Sequence, residues 1–312
     1  MPPDGDRRAV FGRRFAVFIT YCLLLGLIQG LTEFLPVSSS GHLALAEDLL
    51  PGLPSLPGGA TALNVLLHLG TLIAVFIVFR RDLLPLPAAF LSLVCRLFSR
   101  EKRRTERTKD EQLCLHLIFG TLPLVLLKLL DVLVEKVAGY SFVDTAETFV
   151  ASRPIVVGAI LIFNGFLLYA ADVLYRRRTS CGNFGKKQAF AVGIFQAFAL
   201  LPGLSRSGAT IAGGQFSGLS RAEALRFSFL LSVPAVLGAS AVEVPALFTA
   251  SVPPRVLAVY FAAALVALLA GLCSLGLLKK LAKSSSFLPF SIYCWALGAL
   301  AVLAGVCKLP AA

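Results

Sequence analysis

Between Arg255 and Lys279 the chain runs 23 residues, Val256–Leu278, without a charged side chain. A bilayer's hydrocarbon core takes about 20 apolar helical residues, so this segment reads as a membrane span. Five further windows read the same way: Ser284–Cys307, Ile155–Ala171, Phe227–Val242, Leu63–Phe79 and Leu113–Leu130. Apolar residues make up 57% of the 312 and charged residues only 15%, with mean hydropathy +0.82. A soluble domain is about half apolar and a quarter charged. A soluble enzyme, a disordered chain and a disulfide scaffold are therefore excluded. The reading is an all-α polytopic membrane protein, one integral membrane domain over residues 1–312.

The net charge of +12 has two readings, nucleic-acid binding or cytoplasmic loops, and the hydropathy selects the second. Arg96–Glu111 carries seven Lys/Arg, Arg176–Lys187 five and Lys279–Lys283 three. Glu47–Thr61 has none, and Asp131–Arg153 has more acid than base. The first three loops are placed inside and the other two outside. The seven cysteines form no CxxC pair and read as small apolar residues. The N-terminal MPPDGDRRAVFGRRF lacks a small-residue cleavage site and is expected to be retained.

Two apolar stretches do not read as simple spans. Phe15–Leu50 contains IQGLTEFLPVSSSGHLAL, and Gln188–Leu219 contains IFQAFALLPGLSRSGATI. Each breaks at Pro among clustered Ser and Gly and then turns apolar again. Irregular backbone at membrane depth persists only where protein or water covers it, so both read as re-entrant hairpins, broken over 33–43 and 202–210. A displacement of 167 residues puts Gly26 on Gly193, Gln29 on Gln196, Ser38 on Ser205, Ser40 on Ser207 and Gly41 on Gly208. The stretches are read as the centres of two inverted repeats, about 15–135 and 155–307. Broken helices at matching places in two repeats point to a central binding site. Inversion would put the N-terminus outside, whereas Arg7, Arg8, Arg13 and Arg14 favour the inside.

Ionisable groups at membrane depth are costly and mark function. Glu33, His42 and Arg206 all fall in the breaks. Gln29 and Glu33, four apart, share one helix face. Ser38, Ser39 and Ser40 precede Gly41 and His42, and a serine near a histidine is the minimal nucleophile–base arrangement. In the second break Arg206 is flanked by Ser205 and Ser207, with Gly208 and Thr210 beyond. A guanidinium among hydroxyls and helix N-terminal amides fits a phosphate. The set points to phosphoryl transfer; the plainer reading is helix capping with a Glu33–Arg206 pair. Broken helices in repeats also suit a lipid-carrier flippase or transporter. A transporter uses Arg206 but has no need of Ser39 and His42 beside a carboxylate. His68 and His116 read as hydrogen-bonded between helices, Trp295 and Tyr293 as packing. Lys128, Asp131, Glu135 and Lys136 read as an interfacial cluster, and Arg221, Glu223 and Arg226 as a cytoplasmic helix end.

Gln29-Gly-Leu-Thr-Glu33-Phe-Leu-Pro36-Val-Ser38-Ser39-Ser40-Gly41-His42 and the uninterrupted Pro202–Thr210 resemble the two motifs of the undecaprenyl-diphosphate phosphatase family linked to bacitracin resistance. GLSRAEALRFSFLLSVPAVLGA (218–239) is similar too, and the resemblance covers essentially the whole chain. Gln29 stands where many members carry Glu, leaving one motif carboxylate. The resemblance implies hydrolysis of undecaprenyl diphosphate in the bacterial plasma membrane, at a site opening to the outer face. This recycles the carrier lipid for cell-wall synthesis. It also implies a divalent cation, Mg2+ or Ca2+, held by Glu33 with Gln29 as a second candidate. The implied roles are phosphoryl stabilisation by Arg206, nucleophilic attack by Ser39 with His42 as proton shuttle, or the reverse with His42 as nucleophile. Ser38, Ser40, Gly41, Ser205, Ser207, Gly208 and Thr210 form the implied phosphate cradle. The expected partners are the polyprenyl diphosphate lipid and the membrane, with a homodimer as candidate assembly and no nucleic acid.

Overall fold

A computed structural model describes residues 4–49, 59–99, 105–177, 184–249, 252–284 and 286–308. The described residues form twelve helices: α1 (Asp4–Thr32), α2 (Ser39–Leu49), α3 (Gly59–Leu83), α4 (Leu86–Phe98), α5 (Lys109–Ala138), α6 (Phe142–Ala151), α7 (Pro154–Arg177), α8 (Lys186–Phe198), α9 (Arg206–Phe216), α10 (Arg221–Thr249), α11 (Pro254–Ser284) and α12 (Leu288–Lys308). Seven of them, α1, α3, α5, α7, α10, α11 and α12, carry apolar runs of 20 to 30 residues, long enough to cross a bilayer. The protein is a multi-pass membrane protein. Six of the seven coincide with the six apolar windows, of which Leu113–Leu130 includes Lys128; the window at Ser284–Cys307 starts at the last residue of α11 and falls mainly in α12.

The seventh, α1, is longer than the limb of a short hairpin. Its run Arg13–Thr32 has 20 residues, long enough to cross a bilayer. The Pro and Ser that suggested a hairpin act only after Thr32, so the helix is complete before it breaks. The second stretch does have two short limbs, α8 of 13 residues and α9 of 11. At 1.5 Å per residue each reaches ~20 Å or less, short of the ~30 Å core. The breaks are also narrower than expected. Helix is lost over 33–38 and 199–205, and residues 39–43 and 206–210 already form the first turns of α2 and α9.

Glycine lets the broken stretches pack tightly. α1 runs along α11, and α8 along α5. A Cβ on Gly26 would come 2.3 Å from the Ala263 carbonyl oxygen, and one on Gly193 would come 2.2 Å from that of Gly120. These two glycines are the matched pair at 167 residues' displacement, and small residues are what lets membrane helices approach. Gly193→Leu is expected to force α8 off α5 and to destabilise the fold by about 1–3 kcal/mol. Gly238→Ala, where nothing lies within 4 Å of the added carbon, is expected to leave the melting temperature in detergent equal or higher, since Ala favours helix. Equal melting of the two variants would contradict the close-packing account.

One end of the bundle gathers charge. Asp172 near the end of α7 accepts hydrogen bonds from Arg221 at the start of α10, from Ser286 before α12 and from Arg176. Arg226 pairs with Asp82 at the end of α3, and Arg96 of α4 pairs with Glu111. At the far end of α5 Asp131 accepts from Ser141 and Val143 N–H and lies 3.8 Å from Lys128. Parts of the loops behind the inside/outside assignment, 50–58, 100–104 and 178–183, lie outside the described residues, as do the side chains of Arg7 and Arg8.

Candidate active site

The two breaks meet. Each feeds a short helix through a serine N-cap at equivalent positions. Ser38 Oγ accepts from Gly41 N–H at 3.1 Å, and Ser205 Oγ accepts from Gly208 N–H at 3.0 Å. A side-chain oxygen at this position satisfies one of the amides that a helix start leaves without an intrahelical acceptor. Ser38 holds φ at 70°, the one non-glycine residue with positive φ among those described. That costs of order 1–3 kcal/mol and is characteristic of functional sites. The second serine of each pair follows: Ser40 Oγ lies 3.3 Å from Ser38 Oγ, and Ser207 Oγ 3.0 Å from Ser205 Oγ.

Glu33 is the hub. Its side chain is 8% exposed, so its charge needs partners. Oε1 accepts from Arg206 Nη2 at 2.8 Å, across the two breaks. Oε2 accepts from Ser39 Oγ at 2.6 Å and from Gln29 Nε2 at 2.9 Å. His68 Nε2 stands 3.9 Å from the same oxygen. A buried carboxylate held this way is stable only while its cation stays, because removing one partner strands the charge. Arg206 itself is 27% exposed in its side chain, so part of the guanidinium still faces open space.

The predicted site residues do not all converge on this hub. Glu33, Ser39, Gln29 and Arg206 do. His42 does not share a hydrogen bond with Ser39: its Nδ1–H donates to Ser38 O at 2.6 Å, and Nε2 accepts from the Tyr293 hydroxyl at 2.7 Å. A helical offset of three turned the two side chains to different neighbours, Ser39 to the carboxylate and His42 to α12. Thr210 is also turned away from a cradle. Its hydroxyl meets Ser228 Oγ at 2.6 Å and Arg206 O at 2.8 Å, and it is 1% exposed. The Gly208 amide is taken by the Ser205 cap. Ser207 donates to Leu35 O at 3.1 Å, stitching the second break to the first.

Two residues read from sequence as background take part, His68 and Tyr293, and so does a third, Asn164, that the sequence reading did not single out. His68 reaches Glu33 rather than serving as a plain interhelical link; its Nδ1–H donates to Asn64 O at 2.9 Å, which aims Nε2 at the carboxylate. Tyr293 is not only packing, since it holds His42 and stacks on its ring. Asn164 of α7 touches both breaks: Nδ2 donates to Pro36 O at 3.0 Å, and Oδ1 accepts from Ser205 N–H at 3.3 Å. Its signal was present in the sequence as a lone amide inside the otherwise apolar window Ile155–Ala171.

The donor set bears on a divalent cation. Among the described residues no three His, Cys, Asp or Glu side chains cluster as a metal cage would require. Gln29 is fully buried, and its Oε1 has no protein partner. One carboxylate and one orphaned carbonyl oxygen fit a hard cation that shares its ligands with substrate phosphates, the habit of Mg2+. They do not fit a self-sufficient protein cage.

The family model described as Bacitracin resistance protein BacA matches residues 22–300, a span holding both breaks, His68, Asn164 and Tyr293. The chain belongs to this family. Relatives in the family carry the name undecaprenyl-diphosphatase. That of Syntrophotalea carbinolica is 38% identical over 283 residues, covering 90% of this chain and 96% of the relative. That of Rubrobacter xylanophilus is 43% identical over 221 residues, covering 71% and 74%. That of Methanosphaera stadtmanae is 34% identical over 296 residues, covering 92% and 98%.

Proposed function

We propose that this protein hydrolyses undecaprenyl diphosphate to undecaprenyl phosphate and inorganic phosphate, recycling the lipid carrier for cell-wall synthesis and conferring bacitracin resistance. The observation that carries the reading is the Glu33 carboxylate, which accepts from Arg206 on one oxygen and from Ser39 on the other. The family membership and the relatives' name support the substrate.

Ser39 is the nucleophile in this reading. Its Oγ attacks the terminal phosphorus, and its proton passes to Glu33 Oε2, already 2.6 Å away. The bond between that phosphorus and the bridging oxygen breaks, and undecaprenyl phosphate leaves with the proton that Glu33 took from Ser39. Arg206 exchanges Glu33 for the phosphoryl oxygens as negative charge gathers on them. Water then attacks the phosphoserine, Glu33 takes its proton and returns it to Ser39 Oγ, and inorganic phosphate leaves. His42, with both ring nitrogens engaged, is less available for attack than Ser39. A divalent cation, Mg2+ or Ca2+, would be held by Glu33 and by Gln29 Oε1 together with the diphosphate, and would neutralise charge on it.

The two halves are read as inverted repeats on the strength of the matched caps at Ser38 and Ser205 and the matched close approaches at Gly26 and Gly193. The protein is assigned to the bacterial plasma membrane with the site open to the outer face. Support comes from the charged ends of α3, α7 and α10, which gather together as a cytoplasmic end would. Its expected assembly is a homodimer.

The test is phosphate release from undecaprenyl diphosphate by detergent-purified protein, with Mg2+, with Ca2+ and with EDTA. Wild type is expected to release phosphate, and Glu33→Gln to do so about 10²- to 10⁴-fold more slowly, the usual contribution of a general base. Binding of the lipid without release would overturn the hydrolase and favour a lipid-carrier transporter.

A further inference from the structure

One side chain that joins the two breaks belongs to neither. Asn164 is fully buried in the middle of α7. Its amide orientation follows from its partners: the NH2 group faces the Pro36 carbonyl and the Cys294 sulfur, 3.0 and 3.3 Å away, and the carbonyl oxygen faces the Ser205 N–H. Both backbone groups are left over by the breaks. Pro36 lies in the turn between α1 and α2, and Ser205 is the residue before α9, where no helix supplies an acceptor. At membrane depth such groups must find protein partners.

The support behind Asn164 is stiff. α7 and α12 touch at glycines, where a Cβ on Gly158 would come 2.6 Å from the Gly298 carbonyl oxygen and one on Gly298 would come 2.5 Å from that of Gly158. The short helices α2 and α9 both pack on α7. α9 approaches it at Gly208, where a Cβ would come 2.8 Å from Asn164 Oδ1. Glu33 lies three residues before Pro36, and Arg206 directly follows Ser205. One amide on a fixed helix therefore registers the backbone on both sides of the Glu33–Arg206 pair.

We propose that Asn164 is a positioning residue of the phosphatase site, setting the first break against the second so that Ser39 and Glu33 align with a phosphoryl group held by Arg206. The proposal rests on the hydrolase reading above. Asn164 touches no reacting atom; it acts through the two breaks, and small misplacements of reacting groups cost about 10²-fold in rate.

The experiment compares Asn164→Leu, which keeps similar bulk without donor or acceptor, with Asn164→Asp in the full-length detergent-solubilised protein. Phosphate release from undecaprenyl diphosphate is measured from pH 6 to pH 9, below each variant's melting temperature. Asn164→Leu is expected to lose about 100-fold in kcat at every pH, with KM within about threefold because Arg206 is intact. In Asn164→Asp, a neutral carboxyl at this position can donate to Pro36 O and accept from Ser205 N–H, and burial favours that form. Asn164→Asp is therefore expected to approach wild type as pH falls. The ionisable groups on the breaks, α2 and α12 beside it are Glu33, Arg206, His42, Tyr293 and Cys294, and the wild-type profile carries their contribution. Asn164→Leu within twofold of wild type overturns the proposal, as does Asn164→Asp remaining more than tenfold below wild type at every pH. The second criterion stands alone if Asn164→Leu does not fold. A wild type that releases no phosphate overturns the hydrolase reading itself, and the proposal with it.

Discussion

Arg206→Ala is expected to lower kcat for phosphate release by about 10³- to 10⁵-fold, the range an arginine contributes to a phosphoryl-transfer transition state. The guanidinium bonds Glu33 at 2.8 Å and keeps a quarter of its surface open, so it can serve the carboxylate at rest and the phosphoryl group in reaction. The same substitution strands a buried carboxylate, a loss on the order of 3–5 kcal/mol. Its melting temperature in detergent should therefore fall as well. Adding Glu33→Gln should recover most of that stability and none of the activity. Arg206→Lys should fall between, because an ammonium keeps the charge but not the bidentate fork. Activity within tenfold of wild type in Arg206→Ala would remove Arg206 from the chemistry and leave it a structural partner of Glu33.

Ser39→Ala is expected to abolish measurable turnover, a fall of at least ~10³-fold, as removal of a nucleophile does elsewhere. The protein should remain folded, since Glu33 keeps Arg206 and Gln29. A phosphorylated peptide containing Ser39, trapped by acid quench and read by mass spectrometry, should appear in wild type and vanish in the variant. His42→Gln should cost less, because His42 bonds Ser38 and Tyr293 rather than Ser39. If Ser39→Ala turned over normally while His42→Gln were dead and the phosphate sat on His42, the assignment would reverse.

Much of the site was legible because it violates local expectation. Glu33, His42 and Arg206 stand where hydrocarbon should exclude charge, and Pro with Ser and Gly cannot continue a helix there. Those signals are carried by neighbouring residues in the chain. His68, Tyr293 and Asn164 gave weaker signals, each a lone polar group in an apolar run that could equally have been satisfied between helices. Their meaning depends on what stands opposite. His68 meets residue 33, Tyr293 meets residue 42, and Asn164 meets residues 36 and 205.

The sequence alone therefore determined the membrane class, the positions of six spans, the two breaks and the chemical character of the groups in them. Each depends on hydropathy, helix-breaking residues or charge within a window of some twenty positions. Tertiary structure alone decided which oxygen of Glu33 Arg206 takes, that Ser39 bonds the carboxylate and not His42, that Thr210 turns to Ser228, and that one asparagine joins both breaks. Those outcomes depend on how glycine-lined helices seat against one another. Contacts of about 3 Å between side chains on different elements are fixed by packing to within tenths of an ångström, and no local pattern encodes them.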